Sequence, residues 1–227
     1  MAAPSPLSYG RLVTTYTRPD VGAQVYRDAD GSVIPYGSRW DTEPPVDAYS
    51  VIEHEERFEP IGMVARALVD HLAATDDVPV VREPVEPAGH GFQHDEVVRF
   101  TPAPESAPLT VSFGRLSAEV RAGAFYENRY PVCGCDACDD DVDYLISELE
   151  AVALAVASGT FGEWVSEQDG LWAMHRFALL EGEAVEGGVG KVNPFERADL
   201  RARAATKPDT WLPWSLREDR PGAITRD

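Results

Sequence analysis

Lysine is almost missing from this chain: Lys191 and Lys207 are the only two, and every other basic side chain is arginine. With abundant alanine, valine, aspartate and proline, that bias is the composition of a GC-rich bacterial genome or a salt-adapted organism. Cysteine is nearly as scarce. All three cysteines fall within Cys133-Gly134-Cys135-Asp136-Ala137-Cys138, and an odd number cannot pair completely, which argues against a disulfide framework. No apolar run approaches the roughly 20 residues of a membrane helix, and the stretch around Val152–Val156 is far shorter. The first residues lack the basic start and apolar centre of a signal peptide. These absences lead us to expect a cytoplasmic protein with no membrane partner.

Acidic charge, by contrast, is plentiful. Thirty-nine acidic against 20 basic side chains give a net charge of −19. Such a field repels phosphate backbones, so no nucleic-acid partner is expected, whereas a basic protein partner would be attracted. The balance is uneven along the chain. Residues 193–227 carry seven basic and six acidic side chains, and the remainder carries 13 against 33. A near-neutral tail beside an acidic body can dock on it. A hydrophobic fraction of 44% over 227 residues is enough for one main core, with appendages.

Hydrophobic periodicity divides the chain into three stretches. Residues 1–50 hold turn chemistry (Asp28-Ala-Asp30-Gly31) and aromatic anchors (Tyr16, Tyr26, Tyr36, Trp40, Tyr49), which suggests an irregular wrap on a core. Residues 51–182 read as an α+β core. Ile61, Val64, Leu68 and Leu72 predict an amphipathic helix over 60–74, starting at Pro60. Short strands follow at 78–81 and 97–100. Leu109, Val111 and Phe113 alternate with polar residues and turn at Gly114-Arg115 into Leu116–Ala122, the pattern of a hairpin. A second helix is expected over about 140–158, stopped by Gly159, then a hairpin from Phe161–Val165 and Leu171–Leu180. Residues 183–227 read as a linker from Gly187-Gly188, a short helix near Glu196–Ala205, and a docking segment carrying Trp211 and Trp214. The order predicts an antiparallel sheet with two main helices on one face.

The cysteine cluster is the constellation with chemical content. Cys135 and Cys138 have the two-residue spacing that lets both sulfurs reach one metal, and Gly134 lets the backbone fold so that Cys133 joins them. A closed zinc site needs a fourth ligand, for which His90 and His94 are the preferred candidates and His54 another. Asp136, Asp139, Asp140, Asp141 and Asp143 surround the sulfurs. Their negative field is expected to oppose a reactive thiolate and to attract a cation, so a structural zinc is preferred over a redox pair. In a plainer reading, Asp139 or Asp140 caps the following helix and the cysteines are incidental.

Other fragments carry less. His54-Glu55-Glu56-Arg57-Phe58 has phenylalanine where a zinc-protease helix needs its second histidine, and Gly187–Lys191 lacks the pattern of a phosphate-binding loop. Asp28–Gly31 is too short for a calcium loop. His71 and His175 sit on apolar faces and are expected to be hydrogen-bonded at the core edge; no catalytic residue is assigned.

Three stretches resemble an uncharacterised actinobacterial family, a domain of unknown function: Tyr36-Gly-Ser-Arg39-Trp40, Tyr49-Ser-Val-Ile-Glu-His-Glu-Glu-Arg57-Phe58, and Pro131-Val-Cys-Gly-Cys-Asp-Ala-Cys138-Asp139. The resemblance implies a bacterial cytosolic protein and no particular activity. The reading that follows is a metal-stabilised, non-enzymatic binding or regulatory protein with structural zinc expected on Cys133, Cys135 and Cys138. Two others stand beside it. One is an acidic interaction protein, immunity-like or mimicking nucleic acid, that holds a basic partner. The other is an enzyme with His71 or the histidine-bearing loop lining a cleft.

Overall fold

The computed structural model describes residues 16–86, 93–179, 182–191 and 193–217. The predicted helices form. α1 (Glu59–Thr75) has Pro60 in its first turn and buries Ile61, Val64, Leu68 and Leu72 completely, the spacing read from the sequence. Each such burial stabilises the fold by about 1.5–3 kcal/mol. α2 (Val142–Ser158) is buried along its whole second half, Leu149 through Ala157, and ends on Gly159 in the left-handed conformation. A helix apolar on all sides belongs in the middle of a structure. Accordingly, α2 packs on α1 and also contacts both sheets.

The larger sheet is an antiparallel meander of β1 (Val80–Pro84), β2 (Glu96–Phe100), β3 (Leu109–Phe113), β4 (Ala118–Ala122) and β5 (Tyr126–Tyr130). The β3–β4 hairpin pairs Phe113 with Ala118 and Leu109 with Ala122, and its inward residues Leu109, Val111 and Phe113 meet the helices. β5 was not anticipated, because Tyr126-Glu-Asn-Arg-Tyr130 has only its two ends apolar. A smaller antiparallel sheet comprises β6 (Gly162–Ser166), β7 (Trp172–Ala178) and β8 (Ala184–Gly190). Gly187-Gly188 therefore lies in a strand and not in a linker. Their lack of side chains is what lets the strand lie over its neighbour: a Cβ on Gly187 would press on the His175 ring, and one on Gly188 on Met174. α3 (Pro194–Thr206) follows, capped by Asn193. The whole is α+β.

The tail docks through both tryptophans. Trp214 stacks on Phe100 at 5.2 Å and donates to the Ala107 carbonyl at 2.9 Å. Trp211 donates to Glu163, a buried carboxylate on β6 that also accepts the Ala124 and Phe125 N–H groups. One carboxylate thus joins the β4–β5 turn, the smaller sheet and the tail. At the other end, Tyr16 and Arg18 both bind Glu150, which is fully buried in α2, and so tie the N-terminal stretch to the central helix.

Among the histidines, His175 lies half-buried between Phe177 and Tyr126. His71 meets Tyr16 edge-on at 5.2 Å, and its buried Nε2 has no hydrogen-bond partner, contrary to the expectation of a bonded histidine. Burial lowers the pKa of both, which holds them neutral.

Two predictions follow from the packing. At Gly62 a Cβ would collide with the carbonyl oxygens of Gly114 and Arg115, so α1 rests directly on the β3–β4 turn. Gly62→Ala is expected to lower the unfolding free energy by about 1–3 kcal/mol, read from the shift in urea midpoint. The second concerns Asp76, fully buried at the end of α1. Burial raises its pKa to about 6, against smaller lowering effects of the Thr75 hydroxyl and Arg217. The folded state therefore holds a proton that the unfolded chain has released, and this contribution to stability falls as pH rises from about 4 to 6. Asp76→Asn is expected to flatten that slope in pH-resolved thermal melts; an unchanged slope contradicts it.

Candidate metal centre

Three segments distant in sequence meet at one end of the helices. A 3-10 turn, Glu55–Phe58, leads straight into α1, so its last two residues face opposite ways. Phe58 enters the core, fully buried, and Arg57 turns toward the loop that follows β5, with only 2% of its surface exposed. A buried guanidinium must find partners for its charge and its donors. Arg57 finds the Asp136 carboxylate at 3.3 Å, the Gly134 carbonyl at 3.1 Å and the Glu53 carbonyl at 2.5 Å. Its flat faces lie against Tyr36, 4.1 Å from the ring centre, and Phe58.

Asp136 is the counterpart, itself 2% exposed. Its carboxylate also accepts the Glu53 N–H and sits 3.4 Å from Arg39. Its backbone is held as firmly: the Asp136 N–H donates to Val51 O at 2.8 Å, the Ala137 N–H to Ala48 O, and the Trp40 indole to Asp136 O at 3.0 Å. Asp139 accepts the N–H groups of Gly37 and Arg39. Asp141, and neither Asp139 nor Asp140, caps α2, accepting from the Tyr144 N–H. The acidic cluster around the cysteines is therefore largely bound up in holding the loop, and it is not the free negative field expected from sequence.

That scaffold presents the thiols. The sulfurs of Cys133, Cys135 and Cys138 all lie within 4.8 Å of one another, and the Cys135–Cys138 pair is 3.5 Å apart. Thiolates about 2.3 Å from a tetrahedral zinc stand roughly 3.8 Å from one another, so this spacing fits a shared ion. Gly134, at φ +79°, makes the turn that brings Cys133 back. Cys135 is buried, whereas Cys133 and Cys138 are exposed. Burial opposes ionisation of Cys135, but hydrogen bonds from the Cys133 thiol and from the N–H groups of Cys138 and Ser50 outweigh it and bring its pKa down to about 7. Cys138 is pushed up to about 12 by burial and by the two neighbouring sulfurs. One thiolate forms readily here, and more of them need a cation.

Three non-glycine residues of this site, Ser50, His54 and Asp139, have positive φ, against one elsewhere among the described residues. Such conformations persist where surrounding contacts over-determine them, as they do here. Of the proposed fourth ligands, His94 does not join the sulfur group; its charged neighbours are Glu119, Arg129, Asp95 and Arg121. His54 binds Glu56 through Nδ1 and the Arg27 carbonyl through Nε2. His90 lies outside the described residues. Among the described residues, His71 does not line the clefts of about 190, 320 and 480 Å3.

Sequence reasoning found the thiols and missed Arg57 and Asp136 as a pair, since residues 79 positions apart leave no local pattern. Removing one partner of a buried pair strands the other's charge. Asp136→Ala is accordingly expected to cost about 3–5 kcal/mol in urea unfolding, more than any exposed aspartate of the same loop. A variant as stable as the parent would show that the pair does not hold the loop.

No curated protein and no solved structure matches the chain. Residues 22–218 do match a protein family, and that span includes all three segments that build this site. The chain belongs to the family of unknown function DUF6226.

Proposed function

We propose that Cys133, Cys135 and Cys138 hold a zinc ion, and that the protein is a non-enzymatic binding or regulatory protein of the bacterial cytosol. The observation that carries this reading is the convergence of three sulfurs within 4.8 Å on a loop whose backbone is fixed by buried arginine and aspartate. Soft thiolates in near-tetrahedral spacing favour zinc over the hard cations that carboxylates attract. The N–H groups of Ser50 and Cys138 that bond the Cys135 sulfur stabilise a thiolate and so favour a bound metal. A reducing compartment keeps all three thiols available as ligands.

Zinc would act here as a pin. The hydrophobic core lies on the other side of Phe58 and is large enough to fold without it, so the ion rigidifies the loop and the segments packed on it and does not drive folding of the whole chain. The expected result for reduced, tag-free protein is about one zinc per chain by mass spectrometry, absent from Cys135→Ser. Chelation is expected to speed hydrogen exchange in residues 36–57 and 131–139 while leaving α1 and α2 protected. No metal in either protein, with all three thiols titrating freely, overturns the reading.

A further inference from the structure

Exposed large apolar side chains are spread over the surface, and five of them fall on the two stretches that meet at the cysteine loop. Val46, 89% exposed, is followed by exposed Tyr49, Val51 and Ile52 on the segment that borders the loop, and Val132, 73% exposed, immediately precedes Cys133. The Ala137 N–H to Ala48 and Asp136 N–H to Val51 hydrogen bonds hold the two stretches side by side. Five large apolar side chains therefore flank the two exposed thiols. Single exposed apolar residues are ordinary, whereas a group of them beside one feature marks an interaction surface.

The backbone beneath this patch is fixed. Ala48 is buried, Ser50 is held in the left-handed conformation, and Arg57 and Asp136 lock the rest. The surrounding charge has one dominant sign: exposed Asp41, Glu43, Asp47 and Glu53 lie on the same stretch. A complementary surface is therefore both apolar and basic.

The metal narrows the choice further. Three thiolates around a divalent zinc leave a net charge of about −1 and, among the described residues, one open position. A fourth thiolate or a carboxylate would add another negative charge beside Asp47 and Glu53. A neutral imidazole completes the tetrahedron without doing so.

We propose that residues 46–52 and 132–138 form a docking face for a partner protein, whose basic, apolar segment presents a histidine to the open position of the zinc. Apolar side chains on either side of that histidine cover Tyr49, Ile52 and Val132, and the partner's arginines or lysines meet the acidic rim. The proposal rests on the zinc reading above, and it adds the chemistry of the partner.

The test uses the zinc-loaded full chain and a phage-displayed random heptapeptide library. Enriched peptides are expected to contain a histidine flanked by apolar and basic residues. A synthetic copy of the best peptide is expected to lose at least about tenfold in affinity when its histidine becomes asparagine, since losing even an outer-shell partner of a metal ligand costs about 10–100-fold. Ile52→Asp and Val132→Asp are expected to weaken the same peptide without changing zinc content, which separates docking from folding. In the cobalt-substituted chain, binding should shift the visible absorption of the metal, because a ligand has been added. A zinc-loaded chain that enriches no peptide, or only peptides without histidine, overturns the docking face and leaves the zinc reading standing. Self-association of the zinc-loaded chain that Val132→Asp abolishes would identify the occupant as a second copy and overturn the basic partner. A chain that takes up no zinc overturns both readings.

Discussion

A guanidinium buried at the head of α1 must be neutralised and hydrogen-bonded, and the way the two terminal nitrogens of Arg57 meet that demand, with Nε left unpartnered, arranges everything around it. Its neighbour Phe58 fixes it to the core, and its bonds to Asp136, Gly134 and Glu53 draw the loop after β5 against the segment before α1. The N-terminal stretch is then layered on top through Tyr36, Arg39 and Trp40. Replacing such a pair by well-packed apolar residues is often no loss in stability. What it supplies here is position: Asp136 stands between Cys135 and Cys138, so fixing its side chain fixes where the sulfurs stand.

This arrangement reverses the electrostatics suggested by composition. Five aspartates near three thiols look like a field hostile to thiolates, yet Asp136 and Asp139 are bound to arginines and backbone N–H groups. The hydrogen bonds that reach Cys135 lower its pKa instead. The same redirection recurs at Glu150 and Glu163, buried acids that fasten Tyr16 and Trp211, near the limits of the described residues, to the body. A share of the large acidic excess is therefore internal scaffolding. The charge available to a partner is what stays exposed, and part of it rims the cysteine loop.

Much of the architecture was legible in the sequence wherever periodicity coincided with burial. α1 shows its face in Ile61, Val64, Leu68 and Leu72, and the β3–β4 hairpin alternates plainly, so both were expected where they stand. β5 and β8 were not. β5 carries charged and amide residues between two tyrosines, and β8 is rich in glycine, so neither bears a strand's usual residues. For the candidate site, the cysteine spacing was readable because the sulfurs are local to one another. The lock beneath them is not local, and Asp136 read as one more member of the acidic field around the sulfurs. His94 seemed a natural fourth ligand from its loop, but position in a chain does not report which way a loop faces, and it stands apart from the sulfur group.

The central claim is that a scaffold of buried charge presents three thiolates to one zinc, with no fourth ligand among the described residues. X-ray absorption at the zinc edge of the purified, reduced protein tests this most directly. The account predicts about three sulfurs near 2.3 Å and one nitrogen or oxygen near 2.0 Å. A first shell made only of nitrogen and oxygen, or a protein that carries no zinc to measure, would contradict it.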